Sequence, residues 1–176
     1  MEHSRIRLRA LTSTDLPMTL AWHNQEDIVD MYAGHPFPVN HEMEQKWYDK
    51  VLTSNIPATV FGIELTESLK LIGISILKDI DLLNRSAETA IYIGSISERG
   101  KGLSKEALNE TLLFGFNNLG LHRIWLKVRN DNIAAYSLYK KIGFKDEGVL
   151  RDAAFKQGCY HDLSILSLLS SEFQGK

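Results

Sequence analysis

Residues 91–107 constrain this chain more than any other stretch, because a short apolar run passes through a glycine-bearing loop directly into an amphipathic pattern of helical period. Gly100 and Gly102 can take backbone angles closed to other residues and let the main chain approach a ligand. The first amides of the following helix have no internal partners and sit at the positive end of its dipole. A pyrophosphate placed there accepts several charge-assisted bonds, each worth about 1.5–3 kcal/mol. Arg99 and Lys101 add positive charge beside it. Taken alone, the same segment serves as a plain strand-to-helix turn. The two standard nucleotide motifs are absent: there is no Gly-x-Gly-x-x-Gly, and no Gly-Lys-Ser or Gly-Lys-Thr with a glycine five residues before the lysine.

The remainder of the chain supplies a sheet for this turn to leave. Residues 5–11 alternate charged and apolar with period two, the pattern of a strand with one face in the core. Thr14 and Asp15 can cap a helix through Trp22, and Asn40 a second over 41–52, with a loop at 33–39 punctuated by Gly34, Pro36 and Pro38. Strands are predicted at 59–65, 69–77 and 87–94, an antiparallel meander, then a long helix over 103–119 ended by Gly120. A strand at 123–128, a helix at 132–142 ended by Gly143, and strands at 144–150 and 159–169 complete the order β, helices, βββ, α, β, α, ββ.

Composition closes off other classes. At 176 residues the chain fits one α/β domain, 1–176. Twenty Lys plus Arg against 22 Asp plus Glu, a formal charge of -2, leaves no footprint for holding a nucleic acid. No apolar run approaches the roughly 20 residues of a membrane span. The N-terminal residues are charged at every second position, and Cys159 is the single cysteine, so no internal disulfide can form. The expectation is a cytoplasmic protein with no membrane partner. The six histidines show no metal-ligand spacing, and no metal is expected.

A second motif lies at 128–144. Asn132, Ala135 and Tyr139 fall along one side of a helix at spacings of three and four, which reads either as an N-cap, a packed alanine and a core phenol, or as a ligand-facing row. Together the two segments resemble the GNAT superfamily of N-acetyltransferases. Arg99 and Gly102 match its pyrophosphate motif, with Ser104 departing from the usual Gly or Ala; Asn132, Ala135, Tyr139, Gly143 and Phe144 match its helix motif. The opening at residues 6–11, Asp15-Leu16, Leu71-Ile-Gly73 and Arg85-Ser-Ala-Glu88 are similar to the branch of ribosomal-protein alanine, spermidine and amino-sugar acetyltransferases.

The resemblance implies an α/β (α+β) GNAT fold: a mixed, largely antiparallel sheet of about seven strands with helices on both faces. A bulge in the fourth strand would open a V between strands 4 and 5 for acetyl-CoA. It further implies that main-chain groups of Ile91 and Ile93 pair with the pantetheine arm, and that Arg99, Gly100, Lys101, Gly102, Leu103 and Ser104 hold the pyrophosphate. Asn132, with Ala135 on its helix, would reach the pantetheine and Tyr139 the thioester sulfur. The acceptor side would be lined by a helical region containing Trp22, His23, Glu26, Tyr32, Trp47 and Tyr48.

The activity implied is transfer of an acetyl group to a primary amine, a small molecule or a protein N-terminus, by direct attack on the thioester. A non-catalytic acetyl-CoA-binding module is the alternative. An unrelated phosphate-ligand protein is disfavoured by the second motif. A lysine-like amine costs roughly 4.6 kcal/mol to deprotonate at pH 7, an α-amine only about 1–1.5 kcal/mol, so a base is useful. Glu88, at the start of the fourth strand, is the candidate base through a water, provided burial raises it, and otherwise an exposed strand-end carboxylate. Tyr139 is the candidate acid for the thiolate. Cys159 and His161 share a strand face but are expected to be a core cysteine and an edge histidine. Pairing of the C-terminal strands allows a homodimer.

Overall fold

The structure is a computed structural model that describes residues 4–31, 38–53 and 58–175. Seven strands form one sheet in the order β1-β2-β3-β4-β5-β7-β6: β1 Ile6–Ala10, β2 Thr59–Leu65, β3 Leu71–Asp81, β4 Ser86–Ile93, β5 Arg123–Arg129, β6 Lys145–Lys156 and β7 Cys159–Leu169. All neighbours are antiparallel except β4 and β5. The expected meander of β2, β3 and β4 and the mixed seven-strand sheet are therefore present.

Helices cover both faces. On one lie α1 Leu16–His23, α2 Glu26–Met31 and α3 His41–Thr53, packed through Leu16, Trp22, Ile28 and Tyr48 onto Leu71 and Ile74. On the other lie α4 Leu103–Leu113 and α5 Ile133–Ile142, where Leu108, Leu112 and Tyr139 meet Leu77, Ile124 and Leu166. Leu103, Ala107, Leu108 and Leu112 are the apolar face read from the sequence, all buried; each leucine contributes about 1.5–3 kcal/mol. Among the described residues no helix is long and apolar enough to cross a membrane.

Caps and ion pairs fix the entry to α1 and α3. Asn40 Oδ1 accepts from the Met43 amide at 2.9 Å, the expected cap. Asp15, one of the two expected caps, is the N-cap of α1, and a 3₁₀ turn over Ser13–Asp15 leads into it: the Thr12 amide donates to Asp15 Oδ2 at 2.8 Å, and Arg9 clamps both Asp15 (2.7 Å) and Glu64, tying the first helix to β1 and β2.

Several expectations change. The helix ending at Gly120 is α-helical only to Leu113 and finishes as a π turn, Phe114–Asn118, with the Leu119 amide reaching back to Phe114. Strand β3 runs four residues further than expected. The extra length comes from an irregularity between Lys78 and Asp81, so the bulge lies in β3, opposite Ala87, while β4 keeps an unbroken register from Glu88 to Ile93. The expected loop at 33–39 lies outside the described residues over 33–37. Strand β6 continues to Lys156 through two register shifts and closes on β7 by Gln157 and Gly158, both at positive φ. Cys159 is exposed there rather than in the core, because it begins β7 at the tip of the hairpin with the edge strand β6. Helix α2 is too short to show periodicity.

Candidate active site

Strands β4 and β5 pair only through Ser86↔Arg123, Ala87↔Ile124 and Glu88↔Trp125. Beyond that point β4 stays with β3 and β5 with β7, and the two part. The expected V is present, and a cleft of about 670 Å³ fills it, lined by residues 88–93 of β4, 127–129 of β5 and the start of α5.

The direction of the β4 main chain follows from its two ends. At the closed end the Arg85 carbonyl accepts from the amides of His122 (2.6 Å) and Arg123 (3.1 Å), on the β5 side. At the open end the Ile93 carbonyl accepts from Arg99 Nε at 2.8 Å. Main-chain groups alternate sides along a strand, so odd residues face the opening and Ile91 presents its N–H and C=O to the cleft. Side chains alternate too. Glu88 and Tyr92 leave β4 on the face of α1–α3, while Ile91 and Ile93 pack with α4.

At the mouth, Ile96–Glu98 form a 3₁₀ turn and Gly102 caps α4 at φ +81°. Gly100 stands at φ +74° with nothing within 4 Å of a hypothetical Cβ, so glycine is required there by angle and not by space. Among the described residues the amides of Gly100, Lys101, Gly102, Leu103 and Ser104 have no acceptor. A run of unpartnered N–H groups at a helix start is an anion nest. Gly100 and Ser104 line the cleft; Leu103 buries its side chain in the core, leaving only its amide for a ligand. Lys101 is exposed and paired with Glu98 at 2.9 Å. Arg99 is committed within the fold: besides Ile93 it pairs with Asp27 of α2, holding that carboxyl below the usual carboxylate range against the cost of burial.

Across the cleft, Asn132 Oδ1 caps α5 by accepting from the Ala135 amide at 3.1 Å, which leaves Nδ2 to point elsewhere. Both earlier readings of Asn132 are thus compatible. Tyr139 is 6% exposed and stacks edge-on against Phe144. Among the described residues its hydroxyl has no hydrogen-bond partner, and burial pushes the phenol up to about 12, so it stays protonated through the neutral range. Glu88 is buried at the apex, where β4 and β5 separate, and is not the exposed strand-end group; Lys78 Nζ lies 3.2 Å from its carboxylate.

The expected acceptor-side residues divide. Trp22 and Tyr48 are core, Trp47 packs edge-on against His23, Glu26 and His23 line a second cavity of about 500 Å³, and Tyr32 lies outside the described residues. Three contributors were not legible beforehand: Lys78, Arg129 and Tyr92. Arg129 reaches the Asp30 carbonyl at 2.9 Å and pairs with Asp131, fixing α2 over the cleft.

A family model described as acetyltransferase (GNAT) domain matches residues 5–145. The chain belongs to the GNAT acetyltransferase family. Among its relatives, the spermidine N(1)-acetyltransferase of Vibrio cholerae is 32% identical over 171 residues, 97% of this chain and 96% of that one. A putative ribosomal N-acetyltransferase of Bacillus subtilis, YdaF, is 33% identical over 106 residues, 60% of this chain and 57% of that one. The Vibrio cholerae enzyme solved with CoA and spermine superimposes with a TM-score of 0.90 at 31% identity, covering 97% and 98% of the two chains; another of its structures is described as dodecameric (TM-score 0.82, 32% identity, 96% of each chain). The GNAT fold, the acetyltransferase activity and acetyl-CoA as co-substrate are therefore properties of this chain.

Proposed function

We propose that this GNAT enzyme, as one domain, acetylates the primary amine of an acceptor that is not a polycation, by direct attack on the acetyl-CoA thioester. The pantetheine arm lies in the V against the main chain of Ile91 and Ile93, with the free Nδ2 of Asn132 and the small Ala135 on the opposite wall. The amides of residues 100–104 take the pyrophosphate; Ser104 keeps its amide for this. The Ile93 amide donates to the thioester oxygen as it becomes an oxyanion. Tyr139 gives its proton as the C–S bond breaks. The burial that raises the phenol raises a thiol in the same pocket as well, which keeps the pair matched. Glu88 faces the amine side, but Lys78 already occupies its carboxylate.

The observation that carries this reading is the parting of β4 from β5, with unpartnered amides at its mouth and the Tyr139 hydroxyl in its wall. The acceptor follows from charge. Among the described residues the cleft is lined by three acids, Asp27, Asp30 and Glu88, against five cations, Lys78, Arg99, Lys127, Arg129 and Lys156. Each acid is paired inside the chain, with Arg99, Arg129 and Lys78 respectively. A net positive cleft suits the CoA phosphates and opposes spermidine. The favoured acceptor is a protein N-terminus or a neutral small amine.

The test is acetyl-CoA-dependent thiol release with an alanine- or serine-ended peptide, spermidine and a nucleotide-linked amino sugar, beside Tyr139→Phe. Turnover should favour the peptide or sugar over spermidine, and the variant should lose about 10²-fold or more in kcat with acetyl-CoA affinity kept. Preference for spermidine would refute the charge argument; acetyl-CoA binding without turnover would favour the non-catalytic module.

Two wider points belong to the same proposal. The edge strand β6 exposes Val149, Leu150 and Phe155, and such an edge is covered in native proteins, so the chain self-associates at least to a homodimer through it. A cytoplasmic setting is supported by the co-substrate and the free, exposed thiol of Cys159.

A further inference from the structure

We infer that Tyr92, His23 and Glu44 form a proton relay that deprotonates the acceptor amine, with Tyr92 the group that touches it and His23 and Glu44 positioning residues behind it. The inference rests on the amine-transfer reading above and supplies the base that Glu88, occupied by Lys78, leaves wanting.

The chain of groups starts from a carboxylate where packing alone would place a leucine. Glu44 of α3 is 1% exposed, on the inner side of the helix layer. Its Oε1 accepts from the Thr19 hydroxyl, and its Oε2 lies 2.7 Å from His23 Nδ1. A buried carboxylate is costly unless its oxygens are matched by donors, and both oxygens are matched here. Because an ionised carboxylate only accepts, the arrangement fixes His23 with its proton on Nδ1. In the neutral imidazole Nε2 is then an acceptor, and it lies 3.2 Å from the Tyr92 hydroxyl, which in that form donates to it. Every proton in the row is oriented by the acceptor-only end.

Only the Tyr92 end of the row opens to the cleft, while Glu44 at the other end is buried. Tyr92 lines the cleft on the same face of β4 as Glu88, the side from which the helices α1–α3 approach. His23 lines the second cavity, and Asp30 and Lys156 line both, so they form the partition between them. The relay thus starts in the reaction cleft and ends on a buried carboxylate behind it.

The proton count closes. An acceptor ammonium gives one proton to Tyr92 Oη as Tyr92 passes its own to His23 Nε2; Glu44 holds the imidazolium until, after the transfer, the row runs back and the proton leaves through Tyr92 and the cleft to water. The neutral amine attacks the thioester carbonyl; the C–N bond forms and the C–S bond breaks. The second nitrogen proton leaves as Tyr139 protonates the thiolate and is itself reprotonated. The products are amide, CoA thiol and one proton.

Among the described residues the groups facing His23 are Glu44 and the Trp47 ring from α3, Tyr92 from β4, and Glu26, Asp30 and Lys156 around the second cavity. Glu44 dominates them by contact. The row is therefore read by pH and by the basicity of the acceptor, which a merely structural role would not move.

The experiment measures kcat/KM against pH for the wild type, Tyr92→Phe and Glu44→Gln with two acceptors of similar size, one of ordinary amine pKa and one of low pKa that is neutral at pH 7. Tyr92→Phe removes only a hydroxyl and keeps the ring against Trp22, so it reports even if Glu44→Gln fails to fold. The expected result is a loss of about 10²-fold or more for the basic amine, an acidic limb moved to higher pH, and a loss under about threefold for the low-pKa amine. Equal losses for both amines with an unmoved pH profile overturn the relay while the transferase stands. A wild type that releases no thiol with any amine overturns the transferase reading and the relay together.

Discussion

Gly94→Ala tests whether the end of β4 is seated on α1 as the relay and the cleft require. Gly94 has no positive φ, so an alanine there meets no angular objection. Space is the objection: an added Cβ would lie 2.1, 2.2 and 2.4 Å from Cδ2, Cε2 and Cγ of Trp22. Ordinary carbon contact is about 3.5–4.0 Å, so the indole or the strand must retreat by more than about 1 Å. Trp22 is 4% exposed, stands edge-on to Tyr92 at 6.1 Å and precedes His23 on α1, so it has nowhere to go without moving the relay. Overpacking of this kind costs about 1–3 kcal/mol. In a chain of this length that is a fall in Tm of roughly 2–12 °C. The assay is a double-mutant cycle by denaturant unfolding with Trp22→Ala, which alone costs about 3–5 kcal/mol through its cavity. In that background Gly94→Ala should cost within about 0.5 kcal/mol of nothing, giving a coupling of about 1–3 kcal/mol. Strictly additive costs, or a single variant as stable as the wild type, would refute the contact and with it the reasoning.

Gly102→Ala has room, its nearest neighbour being Arg5 Nη2 at 3.6 Å, but not the angle; it should lose about 1–2 kcal/mol in unfolding and weaken acetyl-CoA binding by calorimetry. Asp15→Asn should lower Tm at pH 7 and do so less at pH 3. Despite its burial, Asp15 is held below the usual range by hydrogen bonds from Arg9 and Thr12, and a depressed carboxyl stabilises above its unfolded pKa and loses that contribution as pH falls. Because burial pushes Tyr139 up to about 12, the alkaline side of the kcat profile should show no limb near pH 10 that Tyr139→Phe abolishes. A raised phenol keeps its stabilising, protonated state below about 10 and loses it only as pH climbs through the folded value.

The frame was legible because alternation and helical period report burial directly. β1, β2, β4, β5 and β7 each have one or both faces in the core, and the pattern of α4 survives even though its last turn relaxes into a π turn. Strand β6 escaped beyond Leu150 because it is an edge. Its side chains are exposed almost throughout, so no burial rule acts on them, and its register is set by bulges and by a turn at Gln157 and Gly158. Helix α2 escaped for a different reason. Six residues give no period, and what holds it is a carboxylate to Arg99, 72 residues away, and a carbonyl to Arg129, 99 residues away.

The same division runs through the site. The cofactor half is built from main chain: odd residues of β4 and the amides of residues 100–104, whose exposure depends on glycine spacing and helix start signals that a sequence displays. The acceptor half is built from side chains on α1, α2, α3 and β4 that meet only in space. Glu44 and His23 are 21 residues apart and Tyr92 a further 69 from His23. No spacing rule joins them, and in the sequence Glu44 is one of several acids on an otherwise polar helix. Only the fold shows that this one faces inward, and a buried carboxylate with a histidine on one oxygen is what turns three ordinary residues into a directed row. Specificity follows the same logic. Glu26, Asp27 and Asp30 form only a modest acidic group in the sequence, and the two that line the cleft, Asp27 and Asp30, are paired with Arg99 and Arg129. On the acceptor reading proposed above, this chain shares the fold of a polyamine acetyltransferase while its own ion pairs remove the charge that a polyamine would need.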